Sequence, residues 1–435
     1  MNFIFGAHEK NSFIPRICLA LLGTALSLIT IFQPYNNTPA IRSDGSGYHA
    51  WVHAIKNRTL SFCEHQNILG PVGAISMIDS TGQKCGNKYP PGVGIIQAPF
   101  TLFFAQQNTN KGFTEAEHWS VLTMGPMLLL GTVFISGKTL QNLDCRNTAI
   151  LLSNGAVIFG TGLLHYATYD ASFSHIYSSF LFACILYIAT KKTQHLRAKA
   201  VDWEAIAYAL LCMLLILTRQ TNLALILGAS SILAVNKNLE LHRKKQFALL
   251  SLLALSFGLS FYFIYNYYHL GYLTLSTYGE ERILPFATNT LKVFVSYERG
   301  LFTYYPIFLL AVLIGWIHPK FKSIYVASIG LIISYGLIYG SWHSWPLGAG
   351  FGHRGFVDMA PIIILTLGLT FEEIGKSDLQ KFWIPFISIL AITCVYITTT
   401  TQHGYWMGKY PFSGADHNLY WSTLLQSPGQ AQGKE

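Results

Sequence analysis

The residue best placed for chemistry in this chain is an aspartate at the edge of an apolar run. Asp44 lies in Arg42-Ser43-Asp44-Gly45-Ser46-Gly47-Tyr48, soon after an apolar stretch from Ile17 to Phe32. An ionisable group at a lipid–water boundary is costly unless it is paired or used, so its default reading is functional. The neighbouring glycines allow a tight turn and a close approach by a substrate. The competing reading is local: Asp44 caps a helix running from about Gly47 to Lys56, since Asp is a favoured N-cap.

Further candidates follow along the chain. Lys88-Tyr89-Pro90-Pro91-Gly92 reads as a helix start with proline at its first turn. Lys88 could hold a phosphate there, or simply reach toward headgroups. His165-Tyr166 and Asp170 to His175 flank a short loop. They suit polar groups bonding one another, because no HExxH or Cys/His spacing accompanies them to indicate zinc. Thr218-Arg219-Gln220-Thr221-Asn222 places a cation between two apolar runs. Such a cation needs an anion, either a substrate or the carboxylate of Glu298 or Asp358. Tyr297-Glu298-Arg299-Gly300 precedes another apolar run. Trp342 to Asp358 then supplies glycines, aromatic faces, His353 and Arg354. Arg354 offers a planar fork suited to phosphate, and the aromatics offer faces for a sugar. The same Trp and Tyr residues could instead form an ordinary interfacial belt.

These residues require a membrane scaffold. Of 435 residues, 51% are hydrophobic and 11% charged, with a mean hydropathy of +0.36. Globular chains carry about 25% charged residues. The deficit predicts an all-α polytopic membrane protein. The formal net charge of +9 is no nucleic-acid signal, because the basic residues fall mainly in short loops between apolar runs. The apolar stretches are 16–33, 119–138, 147–165, 172–190, 203–218, 220–236, 246–268, 303–318, 322–340, 356–371 and 382–400. They predict about eleven membrane helices at the usual span length of about 17–25 residues.

The loops give a consistent orientation. With the N-terminus inside, Lys138 to Arg146, Lys191 to Lys199, Lys237 to Lys245, Lys320 to Lys322 and Glu372 to Lys381 all fall inside. Most are basic, as the positive-inside bias requires. Every candidate named above then falls outside, as do His49, His53, Glu280, Arg282 and His343. Convergence on one face predicts a single polar cavity at the outer leaflet. Gly92 to Ala105 is apolar but short and interrupted by Pro99, so it reads as an interfacial or re-entrant helix in a large first outer loop, residues 34–118. Lys10 and Arg16 before the first run suggest an uncleaved signal anchor. The expected organisation is one transmembrane domain, 1–400, and an outer tail, 401–435. Cys63 and Cys85 share the outer loop, where a disulfide is plausible.

Taken together, these features resemble the GT-C superfamily of polytopic glycosyltransferases. The resemblance rests on an Asp at the start of the first outer loop, a Pro-Pro helix start, and an Arg at a later outer turn. The bacterial family-39-like group, which includes relatives of protein O-mannosyltransferases and of the aminoarabinose transferase acting on lipid A, is the nearest branch. Gly350-Phe351-Gly352-His353-Arg354-Gly355-Phe356-Val357-Asp358 also resembles a late outer loop of that group. One departure is that Asp44 is followed by Gly45, where many protein mannosyltransferases carry a second acidic residue.

The resemblance implies a transferase that moves a sugar from a polyprenyl-phosphate donor to an extracytoplasmic acceptor, with membrane lipids as its other partners. Asp44 would be the catalytic base. Lys88, Arg219, Glu298, Arg299, His353 and Arg354 would be the substrate contacts. A divalent cation at Asp44 stays open. The expected location is a bacterial inner membrane, with the site facing outward. A transporter or flippase of lipid-linked sugars, or a ligase or polymerase acting on them, is the alternative. The absence of a visible repeat and the crowding of charges on one side weigh against a transporter.

Overall fold

The computed structural model describes residues 39–71, 73, 75–78, 84–103, 105, 112–191, 202–275, 284, 286–317, 322–348, 350–377, 380–411 and 413–425. The predicted first span, 16–33, lies outside the described residues, as do Glu280 and Arg282. What is described is almost entirely helical. Helix α1 (Asp44–Asn57) opens it, and α2 (Gly92–Thr101) follows a short hairpin of β1 (Ile75–Ile78) and β2 (Cys85–Asn87). Then come α3 (Glu115–Asn142), α4 (Asn147–Gly160), α5 (Ser174–Thr190), α6 (Trp203–Thr218) and α7 (Leu223–Val235). Helices α8 (Leu241–Leu270), α9 (Pro306–Ile314), α10 (Lys322–Gly340), α11 (Ala360–Ile374), α12 (Gln380–Trp406) and α13 (His417–Leu425) follow, with shorter helical segments between the labelled ones.

Among the described residues, five helices are long and apolar enough to cross a membrane: Glu115–Asn142, Leu241–Leu270, Lys322–Gly340, Arg354–Ile374 and Phe382–Trp406. The other apolar helices, at Asn147–Gly160, Ser174–Thr190, Trp203–Thr218, Gln220–Val235 and Pro306–Ile317, are shorter. Each of the ten predicted stretches from 119 onward therefore meets a helix, but several break where the sequence forces them to. The 147–165 stretch stops at Gly160 and resumes as a turn of helix at Leu163–Thr168. Within 303–318, Pro306 starts α9 after a separate turn at Leu301–Tyr304. The last stretch runs beyond residue 400 to Trp406, and the tail folds into α13. The hairpin is a small exception to the all-α expectation.

Burial sorts the helices. The Arg354–Ile374 element is almost wholly buried, with Ile362, Ile363, Ile364 and Leu367 inside. It packs against α3, α4 and α5. By contrast, α8 exposes Leu249, Leu252, Leu253, Phe257 and Ile264, and α12 exposes Phe382, Phe386, Ile389, Ile392 and Tyr396. Apolar faces of that extent suit lipid rather than water.

Charged segments at the ends of different helices pair with one another. Arg146 Nε meets Glu372 Oε1 at 3.2 Å, and Lys376 Nζ meets the same oxygen at 3.0 Å. This joins the segment ending at Arg146 to the one beginning at Glu372. Arg243 binds Asp202 at 2.6 Å and Glu204 at 3.1 Å, while Lys191 also binds Glu204. Those contacts join the segment after α5 to the start of α8.

The first loop is held at several points. Helix α2 is ten residues long, too short to span, and packs on α1, α3 and α6. Cys63 and Cys85 form a disulfide, which ties the chain after α1 to β2. Trp51 Nε1 donates to the Tyr89 carbonyl at 2.7 Å, and Asn87 Nδ2 donates to the Gly47 carbonyl at 2.6 Å. These contacts clamp α1 against the Lys88–Pro91 turn.

Candidate functional site

Helix α1 begins at Asp44 itself, not near Gly47, and this decides the role of the carboxylate. The N-cap position falls to Ser43, whose φ of 46° lies in the left-handed region and whose side chain makes no capping bond. A serine there carries backbone strain of order 1–3 kcal/mol. Asp44 caps nothing. Its Oδ2 meets Arg354 Nη2 at 2.8 Å, and the Tyr89 hydroxyl donates to its Oδ1 at 2.8 Å. The pair is mostly buried, with 21% of the Asp44 side chain and 14% of the Arg354 side chain exposed. The arginine also lies 5.3 Å from the Phe173 ring centroid.

The glycines beside Asp44 serve packing. A Cβ at Gly45 would overlap the Ser172 side chain at 1.9 Å, and one at Gly47 would overlap the Tyr89 ring at 2.1 Å. The space the sequence offered to a substrate is therefore taken by protein. Gly92 plays the same part for α2, since a Cβ there would strike the Leu217–Thr218 backbone within 2.6 Å. That close approach sets the Pro90-Pro91 turn beside the turn that carries Arg219.

The Arg219 turn is itself built on a buried amide. Between α6 and α7 the backbone breaks, leaving polar groups that need partners. Asn222 Nδ2 donates to Ser178 Oγ and Thr218 Oγ1 at 2.9 Å and to the Leu215 carbonyl at 3.1 Å. The Tyr335 hydroxyl donates to Asn222 Oδ1 at 3.1 Å. Arg219 Nη1 then reaches 3.1 Å from His175 Nδ1 and 3.9 Å from Asp358 Oδ2, and His175 Nδ1 is 2.7 Å from Asp358 Oδ1. Of the two carboxylates that could serve Arg219, Asp358 is the one in reach.

Tyr48 bridges the two charge clusters. Its ring packs on Tyr89 at 4.8 Å between centroids, and the charges of Arg219, Asp44 and Arg354 all act on its hydroxyl. Burial is the largest influence and lifts that hydroxyl above the usual phenol range. A third cluster lies alongside. Arg42 binds Asp170 Oδ1 at 2.9 Å, His165 Nε2 lies 2.9 Å from Asp170 Oδ2, and Trp406 Nε1 donates to His165 Nδ1 at 2.8 Å. The Trp406 bond leaves the His165 proton on Nε2, facing the carboxylate. Burial acts to raise the Asp170 carboxyl, but the His165 hydrogen bond and Arg42 charge prevail and lower it to about 2.

The structure thus brings Asp44, Arg354 and Arg219 into one polar region, while the remaining predicted residues divide. Lys88 stands beside Tyr89, its ammonium 5.5 Å from that ring's centroid. His353 is fully buried behind Arg354 among Tyr339, Trp345 and Phe356. Glu298 and Arg299 hold the segment after α12: Gly414 N–H donates to Glu298 Oε1 at 2.9 Å, and Arg299 Nη2 donates to the Pro411 carbonyl at 3.0 Å. Tyr48 and Tyr89 join the site as well, from the Arg42–Tyr48 and Lys88–Gly92 segments. The spacing of Tyr48 from Asp44, one helical turn, was the available signal. Among the described residues, the one group of histidines and carboxylates spaced to hold a metal ion excludes Asp44 and comprises His49, His53 and Glu117.

No family model matches this sequence, and no curated protein matches it.

Proposed function

We propose that this protein is a GT-C-type membrane glycosyltransferase that takes a sugar from a polyprenyl-phosphate donor and passes it to an extracytoplasmic acceptor. About eleven spans, with the first at 16–33, belong to this reading, as do a bacterial inner membrane and an outward-facing site. The observation that carries it is the pair formed by Asp44 and Arg354 at 2.8 Å, part-exposed and close to Arg219, at the end of an apolar helical body. A donor with its tail in the bilayer and its phosphate at the interface needs that combination.

The chemistry is a direct displacement with inversion. The acceptor hydroxyl oxygen bonds to the anomeric carbon as the bond from that carbon to the phosphate oxygen breaks. Polyprenyl phosphate leaves with the electron pair, and Asp44 takes the acceptor proton. Positioned bases of this kind contribute about 10²–10⁴-fold. Arg354 has two partners in this scheme. It holds Asp44 in the resting site and turns its fork to the donor phosphate on binding, which frees Asp44 Oδ2 for the proton. Arg219 and Lys88 add fixed positive charge where negative charge develops.

The test supplies radiolabelled polyprenyl-phosphate hexoses and pentoses to membranes with and without the protein. Label should pass to a new product only with the protein, and Asp44→Asn should abolish transfer at unchanged expression. Transfer at near wild-type rate by that variant would remove Asp44 as the base. No protein-dependent product from any donor would remove the transferase reading.

A further inference from the structure

Three histidines and a glutamate meet in a buried pocket between α1 and the start of α3. His49 and His53 stand one turn apart on the same face of α1. Their Nε2 atoms lie 3.1 and 2.5 Å from one atom, Glu117 Oε1. All three side chains are buried. His65 joins them from the turn after α1, its ring centroid 5.1 Å from that of His53. It too is buried, and neither of its ring nitrogens has a hydrogen-bond partner. His53 Nδ1 is likewise buried without a partner. Phe113 covers the group, 5.0 Å from His49 and 5.6 Å from His53 between centroids.

Two outer contacts orient the ligating atoms. Gln97 Nε2 donates to the Tyr177 hydroxyl at 2.8 Å, which turns Gln97 Oε1 toward His49 Nδ1, also at 2.8 Å. His49 therefore gives its Nδ1 proton to Gln97 and presents an Nε2 lone pair to Glu117 Oε1, itself an acceptor. Two acceptors face each other across 3.1 Å, an arrangement that a cation between them makes favourable. Glu117 Oε2 is held by Thr114, whose N–H and hydroxyl each donate at 2.8 Å, so Oε1 is the oxygen left for the pocket. Metal-ligating histidines and carboxylates are commonly fixed by a second layer of this kind.

We propose that His49, His53 and Glu117 bind a divalent transition metal of the zinc class, with His65 as fourth ligand. An imidazole-rich set with one carboxylate suits zinc rather than magnesium or calcium, which take oxygen. Tetrahedral ligands about 2.0–2.1 Å from zinc stand about 3.3 Å from one another. The His49–Glu117 separation already fits, and His53 needs to withdraw by under about 1 Å. Burial on all sides makes this a closed, structural centre. It would pin the middle of α1 to α3 and so fix the height of Asp44. The inference stands independently of the transferase reading.

The test begins with wild-type protein purified in detergent without a metal-affinity step. Elemental analysis should find about one zinc per chain, as expected for a closed structural site. X-ray absorption at the zinc edge should show nitrogen and oxygen ligands with imidazole scattering. After chelation, cobalt chloride should give the visible bands of a tetrahedral centre. Glu117→Gln and His53→Ala should each lower zinc affinity at least about tenfold. His242→Ala, at a half-buried histidine outside the group that pairs with Glu240, should leave it unchanged. Sulfur scattering at the zinc edge, zinc retained by the Glu117→Gln/His53→Ala double variant, or wild-type protein that takes up neither zinc nor cobalt would each overturn the proposal. The wild-type measurements stand even where a variant fails to fold.

Discussion

Pairing of Asp44 with Arg354 makes a quantitative prediction that needs no substrate. The two residues come from opposite ends of the chain and meet at 2.8 Å. At an effective dielectric near 20, the gross attraction at that distance is about 6 kcal/mol. Desolvation of both groups offsets most of it, because the pair is largely withdrawn from water. Exposed pairs couple by about 0.2–1 kcal/mol, and breaking a fully buried one costs about 3–5 kcal/mol. With 21% and 14% of the side chains exposed, the expected coupling is about 2 kcal/mol. Asp44→Asn, Arg354→Gln and the double variant should be unfolded by denaturant titration in mixed micelles. Each single variant should lose about 2 kcal/mol or more, and the double should lose little beyond the worse single. Losses that add to within about 0.5 kcal/mol would mean the two side chains do not interact, and the site as drawn would be wrong.

Other consequences are independent of that pair. Asp170 is lowered to about 2 by His165 and Arg42 against the cost of burial, so its contribution of about 2 kcal/mol is complete above its unfolded value near 3.8. It is lost as pH falls from there through about 2, so Asp170→Asn should destabilise at pH 7 and flatten the acid limb of the stability profile; an unchanged acid limb would exclude the pairing. Opening the Cys63–Cys85 disulfide, which closes a loop with a sequence separation of 22, should cost about 3 kcal/mol. Non-reducing mass spectrometry that finds both thiols free would refute the bond. For Arg219→Ala, the donor Michaelis constant should rise about tenfold or more, as for the loss of a charged hydrogen bond. An unchanged constant would leave Arg219 a structural residue that contacts His175 and Asp358.

Apolar segments and loop chemistry were legible because they depend on local pattern. The stretches from 119 onward meet helices, and Pro90-Pro91-Gly92 does start one. Mutual pairing of the basic loops, as at Arg146 and Glu372, follows from where apolar runs end. What local pattern cannot carry is the choice of partner across the fold. Arg219 had two candidate carboxylates, and only packing selected Asp358 over Glu298. The sequence offers Arg354 as a phosphate fork, and only the fold shows that one of its nitrogens meets Asp44. Local pattern likewise does not show that the Arg299 guanidinium donates to main-chain carbonyls of Glu298 and Pro411. The histidine group was hidden for the same reason. His49 and His53 announce a shared helix face, but Glu117 lies 64 residues beyond His53 and belongs to a capping box.

That capping box connects the two centres. Glu117 accepts from the Thr114 N–H through one oxygen and turns the other to both α1 histidines, so one carboxylate stands between the start of α3 and the middle of α1. Asp44 sits at the N-terminal end of the same helix, beside a strained Ser43. A helix pinned at its middle and held at its tip by Arg354 and Tyr89 can move its first turn only by breaking the tip contacts. Loss of the Glu117 group should therefore loosen Asp44 without touching it. Glu117→Gln should raise hydrogen exchange across Asp44–Tyr48, whereas Arg354→Gln should raise it there and leave His53–Asn57 protected. Equal exchange along all of α1 in both variants would show that the helix moves as one body and that the histidine pocket does not anchor it.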